Sequence, residues 1–387
     1  MGRPLKIGIT CYPSLGGSGV VATELGKMLA ERGHEIHFIA HSVPFRLGKF
    51  RRNIFYHEVE VTDYYVFRYP PYELSLASKM NQVARLQQLD LLHVHYAVPH
   101  ALCAVLAKQL AGDHLKVVTT LHGTDITILG QDESLKDIIR WSIQRSDAVT
   151  AVSRDLIRET RELLEVGEPI DLVYNFVDHR VYYPRDCADL RKEFAAPGEK
   201  ILMHISNYRP VKRTCDVVDI FARVSRRLPA QLLLVGEGPD LPKLQAKIES
   251  LGLSERVHFL GKQEDVAQII SVADLLLLPS EKESFGLVAL EAMACGVPTV
   301  GTRTGGIPEL VIHGECGFLA PVGDTEAMAD YALRLLTDDA LYARFREACL
   351  RRARNEFNSE RITDQYEQIY YRVLGIPRPT PQAVCER

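Results

Sequence analysis

The chain is organised around residues 281–298, EKESFGLVALEAMACGVP. It follows ADLLLLPS (273–280), an apolar run of strand length, and its Ala, Leu and Met residues are typical of a buried helix. Gly296 and Pro298 mark the helix end. The order is therefore strand, tight loop, helix. Amides at the start of such a helix are unpaired and favour a phosphate, and here they belong to Ser284, Phe285, Gly286 and Leu287.

Two acidic residues accompany this helix start. Glu283 lies in the loop and Glu291 lies one to two turns into the helix. Because a carboxylate beside a phosphate would be repelled, we expect both acids to accept hydrogen bonds from sugar hydroxyls. The pattern predicts a site for a nucleotide-sugar diphosphate. The competing interpretation is a helix with two solvated acids, since acids are common on helix surfaces.

Strands alternate with helices along the whole chain, which predicts an α/β fold with parallel sheets covered on both faces. In the first half, KIGIT (6–10), residues 54–61 and residues 171–178 are among the strand-like segments. The second half has five, within 200–213, 231–240, 256–263, 273–280 and 297–306. We therefore expect two doubly wound Rossmann-like domains, 1–172 and 173–358, facing across a cleft. Residues 359–375 would form a helix crossing back to the first domain, and 376–387 a flexible tail.

Composition excludes several classes of protein. The net charge of −4 argues against a general nucleic-acid binder. No apolar run approaches the ~20 residues of a membrane helix, and the first residues are too short in their apolar part for a signal peptide. The eight cysteines include no C-x-x-C pair, so we expect reduced thiols in a cytoplasmic protein.

A glycine-rich segment follows the first strand. Gly16, Gly17 and Gly19 predict a flexible loop before a helix from Val20 to Arg32. Such a loop lets the backbone approach a ligand, and Ser18 adds a hydroxyl. The segment is not G-x-G-x-x-G, so it is not a dinucleotide fingerprint. A plain tight turn between strand and helix is the alternative.

Several potential metal ligands crowd the first half, namely His93, His95, His100, Cys103, His122 and Asp125. Two histidines of H-x-H on a strand share one face, whereas the next two candidates fall in the following helix. Four convergent ligands do not follow from this spacing. HGTD (122–125) is more typical of a substrate loop, with a capped turn as the alternative.

Two basic residues, Lys212 and Arg213, follow the first strand of the second half. We expect them to face the diphosphate across the cleft from residues 284–287. A cation there would neutralise the leaving nucleotide as it gains charge. The alternative is a solvated basic loop.

Five motifs together resemble the retaining GT-B glycosyltransferases of family 4, over about residues 5–375. They are GGSG (16–19), HGTD (122–125), SNYRPVKR (206–213), VGEGP (235–239) and ESFGLVALEAMACGVP (283–298). One departure concerns the family's usual G-R-L-x-x-x-K-G loop, in which Asn207 replaces the arginine. The phosphate role of that arginine would pass to Arg209 or Arg213.

The resemblance implies a role for each donor residue. Glu291 would bind the uridine ribose, Glu283 the sugar hydroxyls and Lys212 the phosphates. His122 would lie near the sugar's 6-hydroxyl, and the strand around Phe259 would contact uracil. His122, Lys212 and Glu283 would be the catalytic residues. The remaining donor contacts would come from Gly17, Ser206, Asn207, Arg213, Ser284, Phe285, Gly286 and Leu287.

The segments YHEVEV (56–61), YPPYELSLASK (69–79) and HYAVPHA (95–101) are similar to a branch of this family whose acceptor is L-malate. This resemblance implies transfer of N-acetylglucosamine from UDP-N-acetylglucosamine in the first step of bacillithiol synthesis. Ser18, Tyr96 and Thr120 would bind the acceptor, and a cation for its carboxylates would be Lys79, Lys136 or Arg140.

The same branch often pairs through its first domain, so a homodimer is consistent with the resemblance. Same-face attack by the acceptor hydroxyl is expected, with a donor phosphate oxygen taking the proton. No D-x-D motif lies in a suitable loop, so we expect no essential metal or other cofactor.

Two competing functions stay open. One is a family-4 transferase with another acceptor, such as an inositol phosphate or a lipid, although a lipid acceptor would favour a basic amphipathic helix that the sequence lacks. The other is a nucleotide-sugar sensor or an epimerase on the same fold.

Overall fold

A computed structural model of the chain describes residues 3–13, 16–48, 50–61 and 68–379. The chain divides into two compact units. Unit 1 comprises Met1–Asn175 and Ser359–Arg387, and unit 2 comprises Phe176–Asn358. Each unit is a parallel sheet with helices on its faces, which confirms the predicted α/β class with two Rossmann-like domains.

Unit 1 is built from short buried strands and amphipathic helices. Its strands are β1 (Lys6–Thr10), β2 (Glu35–Ala40), β3 (Ile54–Glu58), β4 (Leu91–His95), β5 (Lys116–Leu121), β6 (Ala148–Ala151) and β7 (Ile170–Leu172). Its helices before unit 2 are α1 (Gly17–Glu31), α2 (Tyr72–Gln87), α3 (Leu102–Ala111), α4 (Thr124–Thr127), α5 (Glu133–Arg145) and α6 (Arg154–Leu164). In the described residues the strand order is β3-β2-β1-β4-β5-β6-β7.

Unit 2 repeats this plan. Its strands are β8 (Lys200–Ile205), β9 (Ala230–Val235), β10 (Val257–Gly261), β11 (Leu275–Leu278), β12 (Thr299–Thr302) and β13 (Gly317–Ala320). Its helices are α7 (Ala188–Lys192), α8 (Thr214–Ser225), α9 (Leu241–Ser250), α10 (Val266–Ser271), α11 (Leu287–Ala294), α12 (Ile307–Leu310), α13 (Thr325–Thr337) and α14 (Asp339–Glu356). The strand order is β10-β9-β8-β11-β12-β13.

In each sheet, as far as the described residues go, the strand order reverses at one point. It lies between β1 and β4 in unit 1 and between β8 and β11 in unit 2. Open α/β sheets bind ligands beyond the carboxyl ends of the strands at such a point. The segments that follow these four strands are therefore where functional side chains are expected to meet.

The last helix, α15 (Ser359–Leu374), packs against α1 and β5 of unit 1. Its buried residues include Ile362, Tyr366 and Tyr370, spaced four apart on one helical face. Farther along the chain, Arg378 forms ion pairs with Asp364 and Glu367, so order continues past residue 376. The rest of the predicted tail, residues 380–387, lies outside the described residues.

Several predicted boundaries need correction. Helix α1 begins at Gly17 rather than Val20, because the amides of a first turn need no acceptor within the helix and glycine is tolerated there. Strands β3 and β7 end at Glu58 and Leu172, earlier than predicted. The sequence does not predict strand β13, because the strand has only four residues and begins with a glycine. Glycine is needed at this position, since a Cβ on Gly317 would lie 2.5 Å from the Thr299 carbonyl oxygen.

The described cysteines all carry free thiols. Among the described residues, no helix combines the length and apolar character needed to cross a membrane.

Candidate active site

The loops that follow β8 and β11 meet through an ion pair in unit 2. The Nζ atom of Lys212 lies 2.5 Å from Oε2 of Glu283, and both side chains are largely buried. The prediction that Lys212 and Arg213 face residues 284–287 across a cleft is therefore wrong. Both loops belong to the same unit, because β8 and β11 are neighbouring strands of one sheet.

Helix α11 begins directly after this loop. Gly286 precedes it with φ of +92°, a backbone conformation that favours glycine. The carbonyl oxygen of Gly286 accepts the first hydrogen bond of the helix, from the Ala289 amide over 2.9 Å. The amides of Leu287 and Val288 therefore form the open first turn of the helix, so that of residues 284–287, which were predicted to supply these amides, Leu287 alone lies within it. The ring of Phe285 is buried against Phe357, so this residue can offer its main chain rather than its ring.

Two consecutive glycines, Gly305 and Gly306, pack against the backbone of Glu283. The Gly306 amide donates to the Glu283 carbonyl oxygen over 2.9 Å. A Cβ on Gly305 would lie 2.0 Å from the same oxygen. Only glycine permits this approach, so the position of Glu283 depends on the segment that follows β12.

Glu291 is buried on α11 and has a partner that sequence reasoning missed. The hydroxyl of Tyr182 donates to its Oε1 over 2.5 Å, and both side chains are nearly inaccessible. The two residues are 109 positions apart, and no motif surrounds Tyr182, so the sequence carries no signal for this pair.

Part of the basic loop after β8 has a structural role within unit 2, which the sequence does not predict. Arg213 donates from Nε to Asp216 over 2.7 Å and lies against Gly323, so its charge is paired within unit 2. Asn207 and Arg209 are exposed on the same loop. Of the two residues considered for the missing phosphate arginine, Arg209 is thus the one with an exposed side chain.

Ser206 is held by a buried histidine. Nδ1 of His204 must carry a proton because it lies 2.9 Å from the Leu277 carbonyl oxygen, so its Nε2 accepts from the Ser206 hydroxyl over 2.8 Å. Burial lowers the pKa of His204 to about 4. Phe259 lies apart from this loop, on edge strand β10, with an exposed fraction of 38%.

In unit 1 the predicted acceptor residues Ser18 and Tyr96 meet where the strand order reverses. The Ser18 hydroxyl donates to the Tyr96 hydroxyl over 3.1 Å. Tyr96 has φ of +87°, an uncommon conformation for a residue with a side chain, and its amide bonds to the Thr120 carbonyl oxygen. Tyr12 packs edge-on against its ring. Gly17 lies in the same helical turn as Ser18.

The hydroxyl of Thr120 is engaged elsewhere. It lies 2.7 Å from Nε2 of His93 and 2.7 Å from the Thr150 hydroxyl, and Tyr366 of α15 approaches it at 3.4 Å. All these side chains are buried. The carbonyl oxygen of Thr120, by contrast, accepts from the Tyr96 amide over 2.9 Å.

The HGTD turn is fixed by Asp125. Its buried carboxylate accepts from the amides of Gly123 and Ala97, at 2.9 Å and 3.0 Å. Burial raises the pKa of Asp125, and these hydrogen bonds oppose the increase. The turn is thereby joined to the segment after β4, which places His122 beside His95, with Nε2 and Nδ1 2.8 Å apart.

The histidines that suggested a metal site do not converge. Across the part of the chain that the structure describes, no three His, Cys, Asp or Glu side chains are placed to hold a metal ion. Burial lowers the pKa of His93 and His122 to about 3 and that of His100 to about 4, so these rings stay neutral near pH 7.

The three candidate cations for the acceptor differ in their surroundings. Arg140 pairs with Asp137 and lies 3.9 Å from Glu165, so its charge is already balanced. The pKa of His57 is lowered to about 4, mainly by burial and then by the nearby His37 and Lys79. Lys79, on α2, therefore lies close to His57. Lys136 is half-buried on α5.

Each half of the chain matches the model of a known glycosyltransferase family. The model of "Glycosyltransferase Family 4" matches residues 15–181, and that of "Glycosyl transferases group 1" matches residues 188–352. The N-acetyl-alpha-D-glucosaminyl L-malate synthase of Bacillus anthracis is 58% identical over 371 residues, which cover 96% of this chain and 97% of that protein. A D-inositol 3-phosphate glycosyltransferase of Mycobacteroides abscessus is 39% identical over 176 residues, covering 43% of this chain and 39% of that protein.

Solved structures show the same fold. The sucrose-phosphate synthase of Thermosynechococcus elongatus superimposes with a TM-score of 0.80 at 23% identity, covering 96% of this chain and all of that one. Anabaena HepE in complex with UDP-glucose gives a TM-score of 0.78 at 23% identity, covering 94% of this chain and 99% of that one.

Proposed function

The chain belongs to glycosyltransferase family 4, and we propose that it transfers N-acetylglucosamine from UDP-N-acetylglucosamine to the hydroxyl group of L-malate with retention of the anomeric configuration. The observation that carries this proposal is the 58% identity to the Bacillus anthracis malate synthase over nearly the full length of both chains. A match of this extent covers the loops of both units as well as their strands and helices.

The donor is assigned to unit 2. The open first turn of α11 suits a diphosphate, because its amides and the helix dipole both favour negative charge. Lys212 is ion-paired with Glu283, in the loop that leads to that turn, and would neutralise the charge that develops on UDP as it leaves. Glu283 would then exchange its ion pair for hydroxyls of the sugar, and the buried Glu291 would accept from the ribose.

The acceptor is assigned to the segments that follow β1 and β4. Ser18 and Tyr96 place two hydroxyls 3.1 Å apart, and either can donate to a carboxylate of malate. A dicarboxylate also needs a cation nearby. Since Arg140 is already paired, Lys79 and Lys136 are the better candidates.

The reaction follows a same-face course. The malate hydroxyl attacks the anomeric carbon on the face from which UDP departs, and a phosphate oxygen of the leaving nucleotide takes the hydroxyl proton. The new C–O bond forms as the bond to the phosphate oxygen breaks, so no covalent sugar–enzyme intermediate is needed. Lys212 supplies the positive charge for the departing phosphate, which is why we expect activity without an added metal ion.

The decisive experiment measures UDP release from UDP-N-acetylglucosamine with L-malate, D-malate and inositol 3-phosphate as acceptors, with and without EDTA. We expect release with L-malate that EDTA leaves unchanged, and an α-linked product by proton NMR coupling constants. Inositol phosphate was the acceptor of the competing hypothesis, so release with it in place of malate would overturn the acceptor assignment.

Two further results would contradict the proposal. A glycosyl–enzyme adduct found by mass spectrometry of the intact protein would exclude the same-face course. Binding of UDP-sugars without release of UDP for any acceptor would favour a nucleotide-sugar sensor.

A further inference from the structure

A pair of histidines connects strand β4 to the HGTD turn. Nδ1 of His95 lies 2.8 Å from Nε2 of His122, and the two rings are stacked with centroids 5.1 Å apart. His95 is inaccessible, whereas His122 is half-buried. One of the two nitrogens must carry the shared proton, and the choice decides which atom His122 offers to a ligand.

In the neighbouring His100, the contacts of the ring determine which of its two nitrogens carries the proton. Its Nδ1 lies 2.5 Å from the His95 carbonyl oxygen, which can only accept, so Nδ1 carries the proton. The neutral ring then has a bare Nε2, which is buried without a hydrogen-bond partner in the described structure. This environment therefore accommodates an unpaired acceptor nitrogen.

His95 faces the same constraint at its own Nε2. That atom is also buried and lacks a partner among the described residues. If His122 donated, the proton of His95 would have to sit on Nε2 as a buried N–H with nothing to receive it, and orphaned donors are rare in protein interiors. If His95 donates, its Nε2 is a bare acceptor like that of His100.

We propose that His95 is a positioning residue that donates its Nδ1–H to Nε2 of His122 and thereby keeps the proton of His122 on Nδ1. His122 then offers an N–H donor to its ligand. Its Nδ1 makes no hydrogen bond to the described residues, so it is available for this role. The inference rests on the proposed function only for the ligand, a hydroxyl of the donor sugar. In that reaction His122 orients the sugar as a donor and takes no proton.

The tautomers can be measured directly in the substrate-free protein. Labelling with ¹⁵N-histidine and recording two-bond ¹H–¹⁵N correlations separates protonated from bare ring nitrogens, and His95→Asn and His122→Asn spectra assign the two signals. We expect Nδ1 protonated and Nε2 bare in both rings. A protonated Nε2 in His122 would overturn the proposal.

Two substitutions then test the positioning role. In His95→Asn the side-chain amide nitrogen replaces Nδ1 and can still donate, so we expect the His122 tautomer to persist and kcat/KM for UDP-N-acetylglucosamine to stay within about threefold of wild type. His95→Leu removes the donor, and we expect a mixed tautomer at His122 and a loss of about tenfold or more, as for one lost hydrogen bond. Urea unfolding midpoints establish that both variants fold.

The outcomes separate this proposal from the function. If both variants lose activity equally while the His122 tautomer is unchanged, His95 is only structural and the proposal fails. If wild-type protein releases no UDP from UDP-N-acetylglucosamine, the proposed function fails, and the NMR result still decides the role of His95.

Discussion

Lys212 and Glu283 form an ion pair of 2.5 Å between the ends of two neighbouring strands, 71 residues apart in the chain. The pair joins a cation suited to phosphate with a carboxylate suited to sugar hydroxyls. A bound diphosphate would compete with Glu283 for Lys212, which would release the carboxylate for the sugar. The pair is thus the contact that a nucleotide sugar would rearrange.

Replacing Lys212 with alanine is expected to lower kcat by roughly 100-fold or more. The reason is that a single preorganised charge or donor at a developing anion contributes about that factor. Release of UDP from UDP-N-acetylglucosamine and L-malate is the measurement. Lys243→Ala, which removes an exposed lysine on α9, is the matched control and should leave kcat unchanged. Near-normal turnover of Lys212→Ala would contradict its assigned role.

Replacing Tyr182 with phenylalanine removes the hydroxyl that donates to Glu291. Because the carboxylate stays buried, the loss should cost about 1–3 kcal/mol of stability and also weaken UDP binding. Urea denaturation and calorimetric titration with UDP measure the two effects. The adjacent Tyr183 is 46% exposed, so Tyr183→Phe should change neither quantity. Equal behaviour of the two variants would show that the Tyr182 hydroxyl does not support Glu291.

Replacing Gly305 with alanine should displace Glu283. The new Cβ would lie 2.0 Å from the Glu283 carbonyl oxygen, so the loop before α11 must move. We expect UDP affinity to fall at least tenfold in calorimetric titration. Gly314 is the control, because it also has positive φ but nothing lies within 4 Å of its Cβ. Gly314→Ala should cost about 1 kcal/mol of stability, from backbone strain alone, and leave UDP affinity unchanged.

The sequence predicts those parts of the site that depend on local pattern. The apolar run before Glu283 and the Ala/Leu-rich run after it define a strand and a helix, and Gly286 between them allows the sharp turn. The alternation of strands and helices also predicts the two sheets, because buried parallel strands are continuously apolar.

Contacts between distant segments could not be predicted in the same way. Periodicity does not show that β8 and β11 are neighbours, so the sequence wrongly predicts that Lys212 lies across a cleft from residues 284–287. Nor does any local signal join Tyr182 to Glu291. The histidine pattern did mark His95 and His122, but only the register of β4 and β5 shows that they pair with each other rather than with a metal.

Acid stability should depend on Glu367, which anchors α15 to Arg32 and His34. Burial favours its neutral form, but hydrogen bonding to His34 and the charge of Arg32 prevail and lower the pKa of Glu367 from 4.5 to about 2. A lowered carboxylate pKa stabilises the fold above the unfolded value, and this stabilisation is lost as the pH falls from about 4.5 towards 2. This stabilisation is on the order of 3 kcal/mol.

Glu367→Gln should therefore lower the urea midpoint at pH 7 and reduce the loss of stability between pH 5 and pH 2. Glu360 also pairs with Arg32 but is 73% exposed, so Glu360→Gln should retain the wild-type pH profile. A wild-type profile in Glu367→Gln would show that the anchor does not depend on this charge.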